Sequence, residues 1–203
     1  MIDSKIKNII FDFGGILVNL DKEATLKVFR SLGYDADAYI GTYMQKGPFA
    51  PLESGLITEE DFVAEVQKQA SGEVPAADRI CQAWNEMLTG IPESRLRRLI
   101  GLKARYRLFM LSNTNIIHWK YSKPFFALDG RNPEDYFEKI YLSYECHLVK
   151  PDKAFFQKVL DDNALIPDET LFIDDSAENC RVTAELGIHV FCSRQSDDWQ
   201  HLF

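Results

Sequence analysis

The sequence predicts an α/β fold, a doubly wound parallel sheet with a helical module inserted after its first strand. Short apolar runs rich in β-branched and aromatic residues alternate with helical segments after residue 92, a pattern typical of parallel strands buried between helices. Between residues 17 and 91 the strand-like runs disappear and helical periodicity takes over. A chain of 203 residues has room for such a core, residues 1–16 and 92–203, and for a smaller insert, residues 17–91.

The first strand is predicted over residues 6–13, an apolar run that ends at the glycine pair Gly14-Gly15. Four helices are predicted in the insert, and glycine or proline stops most of them. Thr58 is expected to cap the third helix, because its side-chain oxygen can accept a hydrogen bond from the first turn. The predicted helices span residues 22–32, 36–46, 58–70 and 76–88.

Helices and strands alternate in the rest of the chain, beginning with a helix over residues 93–105. Pro151 is expected in the first turn of the helix that follows the third strand, where proline is tolerated. A later helix is expected to end at Leu186, before Gly187. The remaining strands are predicted over residues 107–111, 140–143, 171–173 and 188–192.

Composition argues against several classes of protein. The chain has 31 acidic and 23 basic residues and a net charge of −8, and such a surface repels nucleic-acid backbones. No apolar run reaches the roughly 18 residues of a membrane span, and no secretory leader is expected. The spacing of the four cysteines matches no zinc or redox motif, so we expect reduced thiols in a cytoplasmic protein. The oligomeric state is left open, and a monomer is compatible with the sequence.

Polar side chains stand at the ends of the predicted strands, the edge at which open parallel sheets bind ligands. Taken singly, most have a structural alternative, such as a turn at Asp12 or a helix cap at Ser112. The adjacent carboxylates Asp174 and Asp175 are harder to explain in that way, because like charges beside a buried strand repel unless a cation lies between them. The strand ends carry, in chain order, Asp12, Ser112-Asn113, Lys150 and Asp174-Asp175.

Four short motifs in this order resemble those of the haloacid dehalogenase (HAD) superfamily of hydrolases, and the resemblance covers nearly the whole chain. It implies a Rossmann-like doubly wound parallel sheet with an inserted helical cap of the C1 type, as in subfamily IA. Residues 111–118 and 140–143 are similar to bacterial sugar-phosphate phosphatases that act on α-D-glucose 1-phosphate. The motifs are Asp12-Phe13-Gly14-Gly15, Leu111-Ser112-Asn113-Thr114, Lys150-Pro151-Asp152 and Ile173-Asp174-Asp175-Ser176.

The resemblance implies a Mg²⁺-dependent phosphatase for small phosphorylated metabolites, with Asp12 as the nucleophile that forms an aspartyl-phosphate. Physical chemistry agrees, because a carboxylate approaches a phosphate dianion only when a cation removes the repulsion between them. Ser112, the Asn113 backbone amide and Lys150 are expected to bind the non-bridging phosphoryl oxygens. Charge lies on those oxygens in the transition state, so Ser112 and Lys150 are expected to be catalytic together with Asp12.

The expected Mg²⁺ ligands are oxygen atoms of four residues. Asp12 is expected to contribute a carboxylate oxygen, and Gly14 its backbone carbonyl. Asp175 is expected to bind the metal directly, and Asp174 either directly or through water. Asn179, one helical turn beyond Asp175, is expected to orient that carboxylate without touching the metal.

The sequence departs from the family pattern at Gly14, where most HAD phosphatases carry a second aspartate. That aspartate protonates the leaving group and later activates water, and such help is worth roughly 10²- to 10⁴-fold in rate. Three explanations stay open: a more acidic leaving group such as an anomeric sugar oxygen, a substitute acid at Asp21 or His118, or a protein that binds phosphorylated ligands with little or no catalysis. The structural alternatives are a turn cap for Asp21 and a partly buried polar residue for His118.

Two related enzyme classes are disfavoured by the same motifs. Haloacid dehalogenases proper also lack the second aspartate, but they attack a carbon–halogen bond and need no Mg²⁺, so the Asp174-Asp175 pair favours a phosphate substrate. Phosphosugar mutases need the second aspartate to move protons between hydroxyl groups, so Gly14 argues against them.

The insert is expected to cover the site and to exclude water from the phosphorylated intermediate. Its aromatic residues mostly fall at helical spacing and are expected to form its own core. Residues 48–56 lie between two of the predicted helices and include Glu53-Ser54-Gly55. Polar groups in this stretch are candidates for contact with sugar hydroxyls.

Overall fold

Among residues 2–195 and 197–203, which the computed structural model describes, five strands form one parallel sheet. They are β1 (Asn8–Phe11), β2 (Arg107–Ser112), β3 (Lys139–Leu142), β4 (Thr170–Asp174) and β5 (His189–Cys192). Their order across the sheet is β3-β2-β1-β4-β5, which confirms the predicted α/β class. The sheet grows in both directions from β1, so the order reverses between β1 and β4, a point at which open sheets form a ligand crevice.

Helices cover the sheet and build the insert. None of those in the described part of the chain combines the length and the apolar character that a membrane crossing requires. The insert contains α1 (Lys22–Ser31), α2 (Phe49–Glu53), α3 (Glu59–Gln69) and α4 (Ala77–Asn85). The core contains α5 (Glu93–Lys103), α6 (Ile116–Ser122), α7 (Pro133–Tyr136), α8 (Ser143–Cys146), α9 (Lys153–Asn163) and α10 (Ala177–Ala184).

Alternate side chains of the central strand pack into two apolar layers, one on each face of the sheet. Ile9 and Phe11 belong to a cluster that includes the apolar residues of α5, whereas Ile10 belongs to a cluster with those of α9. Every residue of β1 and β4 is buried. Because both faces of these strands are covered, their sequences are nearly continuous apolar runs instead of an alternating pattern.

Local signals explain where several helices begin. Thr58 accepts the Asp61 N–H at 3.1 Å, and the Asp61 side chain accepts the Thr58 N–H, so the predicted cap of α3 is confirmed. Pro151, however, lies two residues before α9 and not in its first turn. Asp152 caps that helix instead and accepts the Ala154 N–H at 2.9 Å.

The helix predicted over residues 36–46 is wrong. The structure has turns there and an isolated antiparallel bridge between Ile40 and Gln45. Gln45 accepts the Gly41 N–H through its side chain at 3.1 Å, and Lys46 N–H donates to the Tyr39 carbonyl at 2.8 Å. Such local hydrogen bonds compete with a helical ladder. The nearest helix is α2, which lies within residues 48–56, the stretch that was expected to link two helices.

Two neighbouring backbone segments join the insert to the core. Asn19 N–H donates to the Gly90 carbonyl at 3.0 Å, and Thr89 N–H donates to the Asn19 carbonyl at 3.0 Å. Leu17 and Val18 pack in the core cluster, while most apolar side chains between residues 26 and 87 form a separate cluster. The boundary at residue 17 and the C1 type of the insert stay predictions.

Phe49 is at the centre of the insert's apolar core, so its truncation should destabilise the protein. It is fully buried, and its ring centroid lies 4.7 Å from that of Trp84 and 5.0 Å from that of Phe62. We expect Phe49→Ala to lower the free energy of unfolding by about 3–5 kcal/mol, measured by denaturant titration with tryptophan fluorescence. The control is Val74→Ala, at a 65% exposed position, with an expected change within about 0.5 kcal/mol. Equal stability of the two variants would contradict the packing described here.

Candidate active site

A cavity of about 300 Å³ lies at the carboxyl ends of the strands, between the sheet and the insert. It brings together most of the predicted site residues, although they come from four separate regions of the chain. Asp174 is fully buried beside the cavity wall. The predicted residues that line the cavity are Asp12, Gly14, Ser112, Asn113, His118, Lys150, Asp175 and Asn179.

Asp12 follows the last residue of β1, and its two carboxylate oxygens have different surroundings. Oδ1 accepts the Phe13 N–H at 2.6 Å and lies 2.7 Å from Lys150 Nζ. No described residue donates a hydrogen bond to Oδ2. One oxygen is therefore held by the protein and the other is left for a ligand or a reacting atom.

Lys150 is buried and bridges two carboxylates. Its Nζ lies 2.7 Å from Asp12 Oδ1 and 2.8 Å from Asp174 Oδ2. Burial alone lowers the pKa of a lysine, but Asp12 and Asp174 outweigh it and raise the pKa of Lys150 above its ordinary value. The side chain is therefore a permanent ammonium group.

Asn113 holds the backbone of Lys150 with two reciprocal hydrogen bonds. Its Nδ2 donates to the Lys150 carbonyl at 2.9 Å, and its Oδ1 accepts the Lys150 N–H at 2.8 Å. Only the backbone amide of Asn113 was expected in the site, so this role of the side chain was missed. Ser112, the last residue of β2, is buried next to it and lines the cavity together with Lys150, and its Oγ donates to the Asn113 carbonyl at 3.4 Å.

Asp174 has donors on both carboxylate oxygens. Its Oδ1 accepts the Ser176 N–H at 2.7 Å, Asn179 Nδ2 lies 3.1 and 3.0 Å from the two oxygens, and Lys150 completes the set. Asn179 was expected to orient Asp175, and the structure places its amide on Asp174 instead. The physical reason is that Asp174 turns toward the first turn of α10, where the Ser176 N–H and the Asn179 amide both lie.

Asp175 presents a carboxylate that receives no hydrogen bond from any other described residue. Burial and the neighbouring Asp174 raise its pKa to about 6, against the attraction of Lys150. Gly15 makes room for it, because a Cβ at this position would lie 2.5 Å from Asp175 Oδ2, and Gly15 has a φ of 74° that favours glycine. The Gly14-Gly15 pair was the signal for this close approach.

The acidic cluster fits a divalent cation. Oxygen atoms of Asp12, Asp174 and Asp175 lie within 4.8 Å of one another, and carboxylate oxygens are ligands that Mg²⁺ prefers. Lys150 compensates only one of the three charges. Burial and the two neighbouring carboxylates accordingly raise the pKa of Asp12, although Lys150 opposes them. Since the oxygens of Asp174 already have donors, Asp12 and Asp175 are the carboxylates with oxygens free for a metal.

Gly14 lies on the same wall of the cavity. Its carbonyl oxygen accepts no hydrogen bond from the described residues, which suits the expected role as a metal ligand. The position also has room for a side chain. Among the described residues, a Cβ there would meet only Leu20, at 3.4 Å, and the Gly14 backbone is not left-handed.

Asp21 and His118, the two candidates to replace the aspartate missing at Gly14, both have structural partners. The Asp21 carboxylate caps α1 by accepting the Ala24 N–H at 3.0 Å, and Asp21 does not line the cavity. His118 Nε2 lies 3.0 Å from the Trp84 carbonyl, and its ring stacks on Trp84 at 4.3 Å. Burial lowers the pKa of His118 to about 4, so the ring is neutral at pH 7 and Nε2–H donates to that carbonyl.

The insert closes the cavity from the other side. Tyr43 Oη donates to the Asp175 carbonyl at 3.2 Å, a direct contact between the insert and the acidic cluster. Glu53, the last residue of α2, lines the cavity together with Asp12 and Lys150. From the sequence, Glu53 was expected only as part of a stretch whose polar groups could meet sugar hydroxyls.

The chain is similar over most of its length to a known family of hydrolases. Residues 6–187 match the haloacid dehalogenase-like hydrolase family, so the chain belongs to it. The expected membership is thereby confirmed.

Individual relatives cover nearly the whole chain. D-ribitol-5-phosphate phosphatase of Bacteroides thetaiotaomicron is 35% identical over 198 residues, covering 96% of this chain and 95% of the relative. A HAD-family enzyme of the same organism, crystallised as an Asp12→Ala variant with magnesium and inorganic phosphate, is 38% identical with a TM-score of 0.92 and 98% coverage of both chains. A HAD-like hydrolase of Porphyromonas gingivalis is 32% identical with a TM-score of 0.88, covering 97% of this chain and 95% of that one.

The free carboxylate of Asp175 should be needed for Mg²⁺ binding. We expect Asp175→Asn to weaken Mg²⁺ binding by more than roughly 100-fold, because losing even an indirect partner of a ligand costs about 10- to 100-fold. Isothermal titration calorimetry with Mg²⁺ measures the affinity. The control is Asp78→Asn, which removes an exposed carboxylate of the insert and should bind like the wild type. Unchanged affinity in Asp175→Asn would place the metal elsewhere.

Proposed function

We propose that this protein is a Mg²⁺-dependent phosphatase that hydrolyses small phosphorylated sugars or polyols through an aspartyl-phosphate at Asp12. The observation that carries the proposal is the uncommitted Oδ2 of Asp12, which shares one cavity with Lys150, Ser112 and the free carboxylate of Asp175. A phosphatase relative at 35% identity and a 38% identical enzyme crystallised with magnesium and phosphate support it.

Mg²⁺ would be held by Asp12, Asp175 and the Gly14 carbonyl, with Asp174 bound directly or through water. When bound, it supplies the positive charge that lets a carboxylate approach a phosphate dianion. The remaining oxygen of Asp12 attacks phosphorus and forms the aspartyl-phosphate. Lys150, the Ser112 hydroxyl and the Asn113 N–H bind the non-bridging oxygens, where negative charge lies in the transition state.

Two substrates are the leading candidates. The resemblance of residues 111–118 and 140–143 points to glucose 1-phosphate, and the activity of the 35% identical relative, a D-ribitol-5-phosphate phosphatase, points to D-ribitol 5-phosphate. A cavity of about 300 Å³ suits a small phosphate ester of either kind. The two differ in chemistry, because an anomeric oxygen leaves more easily than a primary alkoxide.

A phospholigand-binding protein without catalysis is the second candidate function. Such a protein needs the phosphate-binding residues but has no need for a nucleophile. Asp12 retains an oxygen with no partner among the described residues, next to a cluster that fits a cation, and this favours catalysis. The acidic pair likewise favours a phosphate over a haloacid substrate.

Replacement of Asp12 tests the proposed reaction. We expect wild-type protein to release phosphate from sugar and polyol phosphates with Mg²⁺ and to stop when EDTA is added. Asp12→Asn should lower the rate by about 10³-fold or more, the scale of losing a covalent nucleophile. Asp78→Asn is the control and should match the wild type. Full activity in Asp12→Asn would overturn the mechanism.

A comparison of substrates tests how the reaction proceeds without an aspartate at position 14. If a residue of the cavity donates the proton, D-ribitol 5-phosphate should be hydrolysed with a kcat/KM within about tenfold of that for glucose 1-phosphate, because proton donation is what a poor leaving group needs. A panel of both esters and glucose 6-phosphate, followed by phosphate release, measures this. Turnover restricted to anomeric phosphates would support the leaving-group explanation instead.

A further inference from the structure

We propose that Glu53 of the insert is the acid–base residue of this reaction and performs the work for which Gly14 has no side chain. The inference rests on the proposed phosphatase function. It assigns a catalytic residue that comes from the insert and not from the first motif.

Glu53 lies on the wall of the cavity that the insert forms, opposite the strand ends. It ends α2 and lines the same cavity as Asp12, Ser112 and Lys150. Its carboxyl group is close enough for electrostatic attraction to the Lys150 ammonium group. Lys150 Nζ in turn lies 2.7 Å from Oδ1 of Asp12, the proposed nucleophile. The insert covers the strand ends, so a group on this wall faces the ester oxygen of a phosphate bound by the core.

The backbone of Glu53 is fixed to the core. Ser143 is the first residue of α8, directly after β3, and its Oγ lies 2.7 Å from the Glu53 carbonyl and 2.8 Å from the Thr114 carbonyl. The same Oγ accepts the Thr114 N–H at 2.9 Å. Two residues on, Gly55 has a φ of 67°, and a Cβ there would lie 2.0 Å from the Tyr144 carbonyl. The turn after α2 therefore rests directly on the start of α8, which follows β3, and this contact positions the Glu53 backbone relative to the site.

The Glu53 carboxyl is in the state that a general acid requires. Among the described residues, none donates a hydrogen bond to it or forms an ion pair with it. Burial raises its pKa to about 8, against the attraction of Lys150, so it carries a proton at neutral pH. A carboxyl group that is protonated near the working pH can give a proton in one step and accept one in the next.

The other proton-bearing groups of the cavity are less suited. The Tyr43 hydroxyl donates to the Asp175 carbonyl, and the neutral His118 donates to the Trp84 carbonyl. Lys22 also lines the cavity, but an ammonium group has no lone pair with which to activate water.

The proton balance closes over two steps. In the first, an Asp12 oxygen bonds to phosphorus, the ester P–O bond breaks, and the leaving oxygen takes the Glu53 proton. In the second, the Glu53 carboxylate takes a proton from water, whose oxygen bonds to phosphorus as the Asp12–phosphorus bond breaks. Inorganic phosphate leaves, and Glu53 is protonated again.

Glu53→Gln separates this role from substrate binding. With D-ribitol 5-phosphate, we expect kcat to fall roughly 10²- to 10⁴-fold, the size of general acid–base help. With p-nitrophenyl phosphate, whose leaving group needs no proton, we expect a burst of about one p-nitrophenolate per active site and then slow turnover, because only the second step lacks its base. The burst also shows that the variant is folded. Glu60→Gln, an exposed glutamate of the insert, is the control and should behave as wild type.

A second variant tests whether the acid–base role can be transferred from Glu53 to the first motif. The Gly14 position accepts a Cβ that would touch Leu20 alone among the described residues. Adding Gly14→Asp to Glu53→Gln should therefore raise kcat by roughly tenfold or more over the single variant. No rescue, no burst, or a Glu53→Gln defect confined to KM would overturn the assignment. A wild-type protein inactive toward every ester would instead refute the phosphatase function itself.

Discussion

One buried ammonium group organises the site. Lys150 Nζ lies between Asp12 and Asp174 and holds the ends of β1 and β4 together at a place where two carboxylates would otherwise repel each other. Its backbone is in turn fixed by Asn113 from the end of β2. This arrangement compensates a single negative charge. The charge left on Asp12 and Asp175 is what suits the crevice to a divalent cation and, with it, to a phosphate ester.

The parallel sheet explains why so much of the site could be predicted from the sequence. Parallel strands end at one edge, and β1 lies between β2 and β4, so Asp12, Ser112 and Asp174 meet although they are far apart in the chain. Buried strands are recognisable as apolar runs, and a polar residue at the end of each run marks this edge. Chain order and residue type were therefore sufficient to bring together the acidic cluster and the residues that we propose to bind phosphate.

Contacts set by side-chain direction or by the insert could not be predicted in the same way. Spacing along α10 places Asn179 near both aspartates, and only the turn after β4 directs its amide to Asp174. The position of Glu53 depends on the tertiary contact with Ser143, which no local pattern indicates. The incorrect prediction of a helix over residues 36–46 has a similar cause. The Gln45 side chain accepts a hydrogen bond from the Gly41 backbone, and such a bond competes with the backbone hydrogen bonds of a helix.

Asp12, Mg²⁺ and the phosphoryl group must share one site if the proposed reaction is right. A crystal structure with Mg²⁺ and beryllium trifluoride, a mimic of a phosphoryl group on a carboxylate, tests this most directly. The expected result is beryllium bonded to one Asp12 oxygen, with Mg²⁺ bound by the other and by Asp175. Mg²⁺ at a different place, or beryllium trifluoride bound away from Asp12, would contradict it.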